Sequence, residues 1–116
     1  MSCLFNSLSH FINESSSKIR EKICDYLEYN LPIIENIATN TILEMEEKNY
    51  VKNMRKSSTW GGGIEIQCAC NIYNSKIIVI NIRNNPHTSI EFIPLHKKIE
   101  KIIKISWNGG HYEPIK

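Results

Sequence analysis

The hydrophobic period of this chain changes once, at Trp60-Gly61-Gly62-Gly63, and that change most limits what it can fold into. Before it, apolar residues recur at helical spacing. Cys3, Leu4, Phe5, Leu8, Phe11 and Ile12 make one stripe over 3–12. Asn13-Glu14-Ser15-Ser16-Ser17 interrupts it, with Ser16 or Ser17 placed to cap a second helix. There Ile19, Ile23, Tyr26 and Leu27 recur at i, i+4, i+7 and i+8. Asn30-Leu31-Pro32 ends that helix, because the residue before a proline is pushed out of the helical region. Pro32 suits the first turn of a further short helix. A fourth stretch, 40–54, carries apolar residues at Ile42, Leu43, Met45, Tyr50, Val51 and Met54.

After the glycines the period shortens. Ile64, Ile66 and Cys68 alternate with Glu65 and Gln67 as in a strand. The same stretch is apolar at 64, 68, 69 and 72, as in a helix, and the two readings stand side by side. Lys76-Ile77-Ile78-Val79-Ile80-Asn81-Ile82 is β-branched and nearly continuous, which predicts a central strand buried on both faces. Asn84-Asn85-Pro86 is a turn, and Ile90-Glu91-Phe92-Ile93-Pro94 is a strand stopped by proline. Residues 102–107 and 112–115 read as short strands joined by Asn108-Gly109-Gly110. Helices first and strands after predict an α+β fold. No internal repeat or linker is visible, so 1–116 reads as one domain.

At 116 residues such a chain buries roughly two-thirds of its unfolded surface, enough for one core. A net charge of +2 gives no case for nucleic acid or an anionic membrane as partner. The basic run Lys97–Lys104 is interrupted by isoleucines and reads as a solvated face. The abundance of Ile, Asn and Lys fits an AT-rich coding genome, as in a large DNA virus or a parasite. Four cysteines, at 3, 24, 68 and 70, have neither a signal peptide before them nor zinc-ligand spacing. Cys24, Cys68 and Cys70 are expected as structural thiols in a reducing, cytoplasmic setting, with no metal and no cofactor.

The chemistry is at the two ends. Cys3 stands where the first helix begins, and a helix N-terminus or an imidazolium lowers a thiol pKa and makes a nucleophile. Backbone N–H groups at Ser2 and Cys3 are natural oxyanion donors. His111 and Glu113 are two residues apart, so a strand puts them on one face. A carboxylate there holds an imidazole in one tautomer and stabilises its charged form. His10 on the first helix, His87 in a turn and His96 beside the basic run compete for the role of base, and spacing does not choose among them.

Three ordered segments resemble the ovarian tumour (OTU) family of papain-like cysteine proteases, which are deubiquitinases. Cys3-Leu4-Phe5-Asn6-Ser7-Leu8-Ser9-His10 resembles the nucleophile motif. Thr59-Trp60-Gly61-Gly62-Gly63-Ile64-Glu65-Ile66 resembles the central Trp-Gly-Gly motif, and Ser106-Trp107-Asn108-Gly109-Gly110-His111-Tyr112-Glu113 the histidine motif. The resemblance implies a small, mostly antiparallel sheet packed between helices. It makes Cys3 the nucleophile, His111 the base and later acid, and Glu113 the orienting carboxylate. It implies that Trp60, Trp107, Tyr112 and Gly110 border a channel for the thin, glycine-rich tail of ubiquitin or a ubiquitin-like modifier. For both tryptophans core packing is the competing reading. Gly109 and Gly110 also read as turn residues. The expected partner is ubiquitin and its conjugates, and the expected state is monomeric.

Two departures are visible. The family carries Asp-Gly-x-Cys at the nucleophile, whereas here Met1-Ser2 precedes Cys3, so Met1 stands at the Gly position and the Asp has no counterpart. Either the sequence is truncated, or the loop is rebuilt from elsewhere, or activity is reduced. Loss of one oxyanion donor costs roughly 10²–10³ in rate. Glu113 replaces the more usual Asp or Asn. Two alternatives follow: a weakened OTU-like domain that binds ubiquitin, and a papain-like hydrolase for another acyl substrate.

Overall fold

The computed structural model describes residues 3–115. Five helices precede four strands: α1 (Cys3–Ser9), α2 (Ser16–Glu28), α3 (Thr39–Glu46), α4 (Tyr50–Met54) and α5 (Gly63–Tyr73), then β1 (Ser75–Asn81), β2 (Thr88–Phe92), β3 (Lys101–Trp107) and β4 (Tyr112–Pro114). The strands form one sheet in the order β2-β1-β3-β4. β1 runs parallel to β3, while β1–β2 and β3–β4 are antiparallel. The α+β expectation holds.

The local punctuation differs in instructive ways. α2 is capped by Ser15, whose hydroxyl accepts from the Lys18 N–H at 3.2 Å, and not by Ser16 or Ser17. The first helix ends at Ser9, three residues short of its apolar stripe, yet Ile12 is still buried. No helix starts at Pro32; Ile34 and Ile37 instead form an isolated bridge. The 40–54 stretch is two helices, because Asn49 between them takes a left-handed conformation (φ 64°). Asn30 and Asn74 do the same after α2 and α5. Asparagine tolerates this region better than most residues, so part of the asparagine excess serves as helix stops.

The ambiguous stretch after the glycines is a helix. α5 packs against α2 on one side and against β1 and β2 on the other. Ile66, Cys68, Ala69 and Cys70 are all fully enclosed. A helix wrapped on both sides is apolar nearly all round, so its 3.6-residue period is faint in the sequence. β1 is not buried on both faces as expected. Ile77 and Val79 face the core, while Ile78 and Ile80 are only half-buried. Along that outer face Lys76 pairs with Glu91 of β2, so long polar side chains cover it in part.

The core joins the two halves of the sequence. Leu4, Phe5 and Leu8 of α1, Ile19 and Ile23 of α2, and Ile77, Ile103 and Ile105 of the sheet are inaccessible to solvent. α1 lies between α2 and β4. The first and last elements of the chain therefore touch. No helix among the described residues is long and apolar enough to cross a membrane.

Candidate active site

Cys3 is the first residue of α1 and is half-buried. The other three cysteines are buried. Burial pushes the thiol of Cys24 up to about 11 and that of Cys70 up to about 12, and raises Cys68 further still. Those three are protonated at neutral pH and poor nucleophiles. Cys3 alone combines access with placement against β4.

β4 brings the other end. The β3–β4 hairpin pairs Trp107 with Tyr112 and Ser106 with Glu113. His111 lies just before β4, and its Nε2 is 3.6 Å from Glu113 Oε1. His111 precedes the strand, so the two side chains approach on one side of the hairpin without both belonging to β4. The separation exceeds a hydrogen bond, so no fixed bond joins them. Both side chains are largely exposed.

The turn before His111 is built by residues that the period did not single out. The Asn108 side chain accepts from the Gly110 N–H at 3.0 Å, and the Asn108 N–H donates to the His111 carbonyl at 3.2 Å. Gly109 has φ +102°, where a side chain is strained. A Cβ there would also stand 2.8 Å from Arg83 Cδ. Gly110 meets neither condition. Arg83 reaches over from the β1–β2 connection, with its guanidinium 5.7 Å from the Trp107 ring.

Of the residues expected along the substrate path, Trp60, Trp107 and Tyr112 fall into two hollows, and Gly110 lines neither. Trp107 and Tyr112 line an apolar groove of about 210 Å³ with Gly63, Ile66, Val79, Ile90 and Phe92. The Tyr112 phenol is raised, first by burial, then by Cys3 and Glu65. Tyr112 thus lies within electrostatic reach of the thiol. Trp60 is half exposed and lines a separate hollow of about 460 Å³ with Tyr50, Met54 and the three glycines. Gly63 borders both. Ser2 lies outside the described residues.

Sequence reading missed the polar groups beneath this site. Glu65 is buried, and its carboxylate accepts from the Gly62 N–H at 2.6 Å and the Tyr50 O–H at 2.7 Å. Desolvation raises its pKa against the opposing effect of those two donors. Arg20 is buried beside Phe5. The spacing Gly62-x-x-Glu65 at a helix start is half of a capping box, and it was the available clue.

The helix that begins at Cys3 thus packs on the strand that follows His111. Residues 2–112 match the family model described as OTU-like cysteine protease. The chain belongs to that family. It is 28% identical over 97% of its length to an ovarian tumor domain-containing deubiquitinating enzyme 9 of Arabidopsis thaliana, covering 32% of that protein. It is 27% identical over 97% of its length to ubiquitin thioesterase otu2 of Schizosaccharomyces pombe, covering 41%. Among solved structures, an ovarian tumor domain in complex with ubiquitin superposes with a TM-score of 0.76 at 27% identity, covering 97% of this chain and 62% of that one. The chain thus spans about a third to two-fifths of the curated relatives named here.

Proposed function

We propose that this chain is a cysteine isopeptidase that removes ubiquitin or a ubiquitin-like modifier from protein conjugates. Cys3 is the nucleophile, His111 the general base and acid, and Glu113 the residue that orients the imidazole. The observation that supports this reading is the packing of α1, which begins at the half-buried Cys3, on β4, the strand that directly follows His111. Family membership and relatives named as deubiquitinating enzymes or ubiquitin thioesterases support it.

In this mechanism the Cys3 thiolate attacks the carbonyl carbon of the modifier's terminal glycine. The tetrahedral oxyanion is held by the backbone N–H of Cys3 at the start of α1, with the N–H of Ser2 assigned as the second donor. It collapses as His111 gives its proton to the departing lysine amine. A thioester remains on Cys3. His111 then takes a proton from water, which attacks the thioester and frees the thiol. The groove under Trp107 and Tyr112 suits a thin apolar strand of substrate, with Gly110 and Trp60 at its approaches. A nucleophilic thiol must stay reduced, so the proposal includes action in the cytoplasm, or the host's cytoplasm for a viral source; the acting unit is proposed to be a monomer.

The exposed 3.6 Å contact of His111 with Glu113 favours one competitor, a weakened domain that mainly binds ubiquitin. A ubiquitin–propargylamide probe separates the two. The expected result is a covalent adduct with the native protein that Cys3→Ala abolishes. Measurable ubiquitin affinity with no adduct selects the binding module. An adduct that survives Cys3→Ala overturns the assignment of the nucleophile.

A further inference from the structure

The segment leading into α5 is anchored by two buried ionisable side chains that the proposed reaction does not use. Arg20 is 5% exposed and donates through Nη1 to the Met54 carbonyl at 2.8 Å and through Nη2 to the Thr59 carbonyl at 2.9 Å. Its guanidinium lies 4.2 Å from the centre of the Phe5 ring. Glu65 is 1% exposed, and its two oxygens accept from Gly62 and Tyr50. Between these anchors the backbone presses on α1. A Cβ added at Gly61 would stand 2.7 Å from Leu4 Cδ2 and 3.0 Å from Phe5 Cζ. Leu4 and Phe5 directly follow Cys3, so whatever fixes Gly61 fixes the base of the nucleophile.

A carboxylate in this place is costly to bury, and an apolar residue would fill the volume. Yet an apolar residue would leave the Gly62 N–H and the Tyr50 O–H without acceptors. A glutamine keeps an acceptor for the Gly62 N–H, but toward Tyr50 it can only donate, so the Tyr50 proton must turn away from it and the hydrogen bond reverses. The carboxylate is thus the head group that accepts at both ends, one end holding the glycine segment and the other holding α4.

We propose that Glu65 is a positioning residue for the Cys3 thiol, holding Gly62 and Tyr50 so that the Gly61 backbone is a rigid seat for Leu4 and Phe5. It acts through that seat and touches no substrate. The inference rests on Cys3 being the nucleophile, but the alkylation measurement that decides it needs no modifier. The three buried cysteines make this possible: in the folded protein a small alkylating reagent reaches Cys3, and labelling at 24, 68 or 70 reports unfolding.

The experiment follows iodoacetamide alkylation of each cysteine by mass spectrometry across the thiol titration range, in wild type, Glu65→Gln and Tyr50→Phe. Reaction with the ubiquitin–propargylamide probe is measured in parallel. Small displacements of reacting groups reduce rates by up to about a hundredfold, so Glu65→Gln is expected to slow probe capture by about tenfold or more. It is also expected to move the midpoint of the Cys3 alkylation profile, with the buried thiols still protected. Tyr50→Phe, which releases one anchor, is expected to do the same to a smaller extent. Folded variants with an unchanged Cys3 profile overturn the proposal. If Glu65→Gln does not fold, Tyr50→Phe alone decides. If wild type forms no ubiquitin adduct, the functional reading fails while the alkylation profiles still judge Glu65.

Discussion

The two halves of the candidate site are held by opposite means. The proposed nucleophile, Cys3, leads into a buried support: Phe5 between Gly61 and Arg20, with Glu65 anchoring the glycine segment. The proposed base, His111, stands on an exposed hairpin, where Glu113 approaches it in solvent and the turn relies on Asn108 and Gly109. Water screens the second arrangement but not the first. Exposed ion pairs contribute about 0–1 kcal/mol, whereas removal of a buried charged donor leaves acceptors stranded. Substitutions at the nucleophile's base should therefore act on stability and geometry together. Those at the hairpin should act on the reaction more than on the fold.

The largest expected effect is at Arg20. Arg20→Met strands the carbonyls of Met54 and Thr59 and removes the cation over Phe5, which should destabilise the fold by about 3 kcal/mol. Urea unfolding measures it, and a loss no greater than that of a surface substitution breaks the contrast between the halves. Gly61→Ala comes next. Its Cβ meets Leu4 and Phe5 at overlap distance, and overpacking of this kind costs about 1–3 kcal/mol. A variant as stable as wild type would show that α1 yields easily and that its seat is soft.

Gly109→Ala tests the hairpin. A side chain at φ +102° costs about 1–2 kcal/mol, and relief by local rearrangement would shift His111. Turnover is expected to fall more than stability, read as kcat on a ubiquitin amide against the urea midpoint. A pH effect is smaller. Burial raises the Glu65 carboxyl above its ordinary 4.5, so the folded state binds that proton more tightly than the unfolded chain. Stability contributed by this group is therefore present at acid pH and falls as pH rises from 4.5 through the raised folded value. In Glu65→Gln that fall should be absent, which urea midpoints from acid to neutral pH reveal. The smallest change in stability is expected for Glu113→Ala, under about 1 kcal/mol, with a clear drop in kcat. An unaltered kcat would remove Glu113 from the orienting role.

How much of this was legible follows from burial geometry. α2 and the β3–β4 hairpin were readable because each has one wet side and one dry side, which imprints a period. α5 was ambiguous because it is enclosed between α2 and the sheet. β1 was misjudged for the opposite reason: a run of isoleucines signals two buried faces, yet Ile78 and Ile80 are partly open beside Lys76 and Glu91. For the candidate site, residue chemistry and order nominated Cys3, His111 and Glu113. Glu65 and Arg20 were not, since a buried charge looks like any surface charge until its partners are known.

From residue types alone came the α+β class, the break at Trp60, and the nomination of Cys3 and His111 with a carboxylate two residues on. These are local facts, carried by period, turn chemistry and motif order. Only the tertiary structure decided that α1 meets β4, that three of the four thiols are enclosed, and that the glycine segment lies against Leu4 and Phe5 of α1. Those outcomes depend on contacts between residues far apart in the chain, and no local pattern encodes which distant partner will satisfy a buried polar group.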